Sequence, residues 1–102
     1  MRVQLKIEGG VAYFPGLSRP RAIDSDQLTK EEGVELERLV NAARFFDLPS
    51  RVGIVREGAA DYRQYIVTIE EGRQSHTVRL TDPIEDVNLQ DLLDFIRARG
   101  KA

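Results

Sequence analysis

Two alternating runs facing each other across a short break constrain this chain more than anything else in it. Tyr65, Val67 and Ile69 alternate with Gln64, Ile66, Thr68 and Glu70, and after Glu71-Gly72-Arg73 the apolar phase resumes with His76, Val78 and Leu80. Side chains on a strand point to opposite faces with a period of two, so each run is a strand with one buried face. A glycine-containing turn between them makes an antiparallel hairpin. A hairpin with one apolar face is not stable alone, and the rest of the chain must supply its cover.

The N-terminus offers more strand. Val3, Leu5 and Ile7 alternate with Arg2, Gln4, Lys6 and Glu8 over residues 2–8, until Gly9-Gly10 breaks the pattern. Arg19 to Asp24 reads as a weaker second strand, with Pro20 pointing to an edge or a strand start. The cover comes from two helices. Thr29 and Glu32 have the spacing of a capping box, and Leu36, Leu39, Val40, Ala43 and Phe46 recur on one face, so a helix is predicted over 30–46, ended by Pro49. Asn88 is the expected N-cap of a second helix, with Val87 stapling against Leu92, a stripe of Leu89, Leu92, Leu93 and Ile96 widened by Phe95, and Gly100 as its stop. Between helix and hairpin, residues 47–61 are irregular, with Val52, Ile54 and Val55 able to form a short strand. The order β-β-α-β-β-α predicts an α+β fold: one four-stranded, mainly antiparallel sheet with both helices on one face. The chain has 102 residues, which predicts a single domain over 1–102.

Composition removes several function classes. With 15 Lys and Arg against 17 Asp and Glu, the net charge is −2, and there is no basic patch of the kind nucleic acid requires. There is no cysteine, so disulfides, zinc-thiolate sites and cysteine nucleophiles are excluded. The first residues, MRVQLKIEGG, have no continuous apolar stretch and read as neither signal peptide nor membrane span. The cytoplasm is the default compartment, with export by another route left open.

One stretch resists a purely structural reading. Residues 9–17, GGVAYFPGL, are punctuated like a turn but carry Val11, Ala12, Tyr13, Phe14 and Leu17. Chain direction suggests where they lie. If the first helix returns the chain antiparallel to the second strand, the connection 47–62 starts and finishes at the sheet end that also holds 9–17. An apolar loop and a small tip, Gly58-Ala-Ala-Asp61 followed by Tyr62, are then neighbours. A carboxylate beside an apolar finger suits a partner's cation site and adjoining hydrophobic pocket. Two bland alternatives stand beside this: the aromatics cover the open end of the core, and Asp61 is a turn residue.

Enzyme readings find little support. His76 is the only histidine, and its phase with Val78 and Leu80 predicts a ring hydrogen-bonded at the core margin, with no local partner for acid-base work. One histidine and no cysteine argue against a transition-metal site, and no cofactor is expected. Asp24 and Asp26, and Asp82, Glu85 and Asp86, adjoin predicted helix starts, where the helix dipole explains them.

Taken together, GGVAYFPGL, NAARFFDLPS, GAADYRQYIVTIE, HTVRLTDP and LQDLLDFIR resemble, in order and over nearly the whole chain, the emfourin-like family of small protein inhibitors of thermolysin-family, protealysin-like zinc metalloproteases. FF-x-LP and GAAD-x-x-x-Y are the more specific pieces. Val11 stands where the family is associated with a larger apolar residue, so the finger here begins at Tyr13-Phe14. The resemblance implies an inhibitor rather than an enzyme, monomeric when free. It implies that a loop aspartate, Asp61, reaches the protease zinc, and that Val11, Tyr13, Phe14 and Leu17 are candidates for the apolar subsite, with Gly10, Ala12, Ala60 and Tyr62 completing the contact. Asp24 and Asp26 are the reserve zinc-reaching residues. The alternative readings are a non-inhibitory binding module of the same fold and a small enzyme with a pocket around His76.

Overall fold

The computed structural model describes residues 1–8, 21–53, 63–81 and 83–99. Its elements are β1 (Arg2–Glu8), β2 (Arg21–Asp24), α1 (Lys30–Ala42), β3 (Arg51–Val52), β4 (Gln64–Glu71), β5 (Gln74–Thr81) and α2 (Val87–Arg99), with 3-10 turns at Ser25–Gln27 and Phe45–Asp47. The strands form one sheet in the order β2-β1-β4-β5-β3. The expected α+β architecture and β4–β5 hairpin are present, but the sheet has five strands rather than four. The addition is β3, which runs parallel to β5 and makes the sheet mixed.

The hairpin follows from its sequence. Gly72 opens the turn at φ 59°, a conformation that costs glycine little. The register then sets Val67 opposite Val78 and Ile69 opposite His76. Val3, Leu5, Tyr65, Val67, Ile69, Val78 and Leu80 share one buried face, in a single cluster with Leu36, Leu39 and Val40 of α1 and Leu89, Leu92, Leu93, Phe95 and Ile96 of α2. Both helices therefore cover the same side. The other side carries the polar phase of the strands.

Both helix starts are capped, one of them elsewhere than expected. At α1 the capping box is complete: the Glu32 amide donates to Thr29 Oγ1 at 3.1 Å and the Thr29 amide donates to Glu32 Oε1 at 3.2 Å. At α2 the cap is Asp86, not Asn88; its Oδ1 accepts from the amides of Asn88 at 2.9 Å and Leu89 at 3.3 Å. The helix thus starts before Asn88, and Val87 is 70% exposed rather than stapled. Gly100 lies outside the described residues.

α1 also ends earlier than its apolar spacing predicts, at Ala42. Arg44 takes φ 51°, a left-handed turn in a non-glycine residue, and starts the Phe45–Asp47 turn. That turn drives Phe45 into the core at 1% exposure, with its ring edge-on to Phe46 at 5.8 Å and His76 at 5.6 Å. The predicted role of His76 holds: its Nε2 is 2.7 Å from the Leu48 carbonyl. The helix therefore delivers the chain beside His76, on the hairpin half of β5, and β3 carries it to the other end. That route replaces the direct return expected of the helix.

Glu32 has a second task. Its Oε2 accepts from Arg99 Nε at 2.7 Å, joining the start of α1 to the end of α2. The Arg99 hydrogen bond, then the Thr29 bonds, hold its carboxyl below the ordinary 4.5. Lys6 and Arg79 do the same for Glu8, and Arg38 for Glu35. A carboxyl that binds its proton less tightly when folded favours the folded state above its ordinary pKa. It loses that advantage as the pH falls through its folded value. Thermal melts of Glu32→Gln should lie below wild type at neutral pH, with the gap closing once the pH is well below 4.5. A constant gap down to the acid limit would mean that the charge of Glu32 contributes nothing.

Candidate functional site

The residues expected to meet a partner, Gly10, Val11, Ala12, Tyr13, Phe14, Leu17, Ala60, Asp61 and Tyr62, lie outside the described residues. The structure does describe the frame on which their two segments are rooted. β1 ends at Glu8, opposite Gln64 at the start of β4. Gln64 is in turn opposite Thr81, the last residue of β5. β3 runs parallel to β5 toward this same end, with Val52 opposite Leu80, and Gly53 follows it. The strand ends that lead into 9–20 and into and out of 54–62 therefore share one end of the sheet, opposite the Glu71–Gln74 hairpin.

Two local features hold this end. Gly53 has φ +101°, and a Cβ there would stand 3.0 Å from the Thr81 carbonyl oxygen and 3.1 Å from the Thr81 Cβ. Only glycine lets β3 run this close to β5 and turn away. On the polar side of the sheet, Arg79 Nη1 donates to Gln64 Oε1 at 2.5 Å and to Glu8 Oε2 at 3.1 Å. Lys6 Nζ takes the other carboxylate oxygen of Glu8 at 3.2 Å. Lys6 first, then Arg79, hold the Glu8 carboxyl below its ordinary range, so it is charged at neutral pH.

The reserve aspartates sit at the far end. Asp24 is opposite Arg2, and its Oδ1 accepts from the Asp26 amide at 3.0 Å. Asp24 thus closes a turn at the end of the sheet opposite the one where Glu8, Gln64 and Thr81 meet. Among the described residues no group of three or more His, Asp or Glu is placed to hold a metal, and no helix is long and apolar enough to cross a membrane.

The Arg79–Glu8–Gln64 group escaped sequence reasoning. Its members stand 71 and 15 positions apart, and each looks like an ordinary residue on the solvent phase of a strand. The signal was the shared phase: once register is known, those positions must be neighbours.

Comparison with curated proteins returned no significant match. Among solved structures, the chain is similar to emfourin (M4in) from Serratia proteamaculans, described as an M4 family peptidase inhibitor. The two are 22% identical over 99% of this chain and 90% of that chain, with a TM-score of 0.46. The emfourin family model matches residues 5–97, a span that begins inside β1, takes in both rooted segments and the whole hairpin, and stops in the last turn of α2. On that match the chain belongs to the emfourin family.

Proposed function

We propose that this chain is a protein inhibitor of a thermolysin-type (M4) zinc metallopeptidase. It blocks the active site with an apolar segment, 9–17, and an acidic tip, 56–62. The observation that carries the reading is family membership across residues 5–97; emfourin family members are inhibitors, not enzymes. The frame supports the finer part, because the strand ends that root both segments adjoin one another through the Glu8–Gln64 and Gln64–Thr81 pairs.

The chemistry is consistent. A catalytic zinc keeps one position open for water or substrate, and a carboxylate oxygen can take it. An Asp61 carboxylate there displaces the attacking water, which also leaves the inhibitor uncut. Val11, Tyr13, Phe14 and Leu17 supply the apolar anchor that fills an adjoining subsite. The inhibitor acts as a monomer, a reading supported by the strand ends of both segments adjoining within one chain.

Titration of the purified chain into a thermolysin-type peptidase, with a serine peptidase as control, tests the reading. Stoichiometric loss of the first activity alone supports it. Stable binding without inhibition would instead identify a non-inhibitory module. Replacing Tyr13 and Phe14 together by serine should weaken inhibition by at least about tenfold, because a buried aromatic anchor dominates such contacts. The melting temperature should stay unchanged. Loss of folding would assign the two rings to the core.

A further inference from the structure

We infer that Arg79 is a positioning residue for inhibition, fixing the spacing of the strand ends from which the apolar segment departs and to which the acidic segment returns. The inference rests on the inhibitory reading above and names what tunes that site.

The Arg79 side chain touches two of the strand ends that root these segments. β5 is not a neighbour of β1, because β4 lies between them. The Arg79 guanidinium nonetheless spans β4, reaching Gln64 at 2.5 Å and Glu8 at 3.1 Å. Gln64 is where the chain returns from 54–62, and Glu8 is where it departs into 9–20. The main chain of the same residue helps to seat β3: the Arg79 amide donates to the Ser50 carbonyl at 2.8 Å, just before β3 begins. One guanidinium thus connects the strand end where the first segment departs to the strand start where the second returns.

Stability is a poor explanation of this arrangement. The Arg79 and Glu8 side chains are 35% and 39% exposed, and ion pairs that wet contribute little to folding. What such a clasp does well is restrict relative movement of strand ends that hydrogen-bond ladders alone leave free to fray. Binding through two segments at once is strongest when their spacing is set beforehand, since less ordering remains for the encounter.

The test uses Arg79→Met, which keeps the aliphatic stem but removes the guanidinium, Glu8→Gln, and the double variant. Inhibition of a thermolysin-type peptidase, melting temperature and amide hydrogen exchange over residues 6–8 and 64–66 are read for each. Either single change should weaken inhibition by about five- to tenfold, the scale of a lost preorganising contact. The double variant should weaken it no further, because both changes break one clasp. Exchange should quicken at the strand ends, with melting within a few degrees of wild type. Unchanged exchange, unchanged inhibition in Arg79→Met, or additive losses in the double variant would each overturn the positioning role. A wild-type chain that fails to inhibit removes the inhibitory reading instead, and the exchange measurement then decides the clasp alone.

Discussion

Replacing Asp61 by alanine is expected to weaken inhibition of a thermolysin-type peptidase by about a hundredfold or more. A central contact of this kind costs roughly 3 kcal/mol when truncated, and each ~1.4 kcal/mol is tenfold in affinity. The loss should appear in dissociation more than in association, as for most interface changes. Asp61→Asn separates the causes. It keeps size and much of the hydrogen bonding but removes the charge that binds a metal, so it should behave like alanine. An asparagine variant with wild-type inhibition would show that Asp61 makes an ordinary polar contact. The melting temperature of both variants should match wild type; a drop in melting would assign Asp61 a structural role instead.

Phe45→Ala should have the largest effect on stability, with inhibition by the remaining folded molecules unchanged. The ring is 1% exposed and packs edge-on against Phe46 and His76. Removing a buried phenylalanine costs about 3–5 kcal/mol, through lost transfer energy and the cavity left behind. A domain of this size has only about 5–15 kcal/mol in total. Urea denaturation measures the difference directly. A loss below about 1 kcal/mol would mean that the turn closes over the gap, and that the left-handed Arg44 is not held in place by the ring.

Phe45 also marks where local pattern stops being informative. Strands β1, β4 and β5 were legible because period-two alternation is a property of each strand alone, and the α1 cap because Thr29 and Glu32 are three residues apart. The end of α1 was not. Ala42, Ala43 and Arg44 favour helix, and only the requirement to bury Phe45 turns the chain at Arg44 without a glycine. β3 was missed as a definite strand because two residues show no period; its place comes from the Ser50 carbonyl accepting from the Arg79 amide and from the close approach of Gly53 to Thr81. The α2 cap moved because Asp86 and Asn88 are both good N-caps two residues apart, and packing of the whole helix chooses between them.

The candidate site divides the same way. Sequence composition alone singles out the apolar 9–17 stretch, which departs from what a connecting loop needs, whereas the GAAD tip stands out only through chain direction and the family resemblance. The frame beneath them depends on pairing between strands distant in sequence. Arg79, Glu8 and Gln64 meet through registers that no single segment encodes. An anchoring group of this kind becomes visible only with the fold.

A structure of the complex with a thermolysin-type peptidase is the decisive measurement. It should show an Asp61 carboxylate oxygen on the peptidase zinc, at about 2.0–2.2 Å as for zinc-bound carboxylates, with Tyr13 or Phe14 in the adjacent apolar subsite. A complex in which the two segments lie apart, or in which neither approaches the metal, would contradict it.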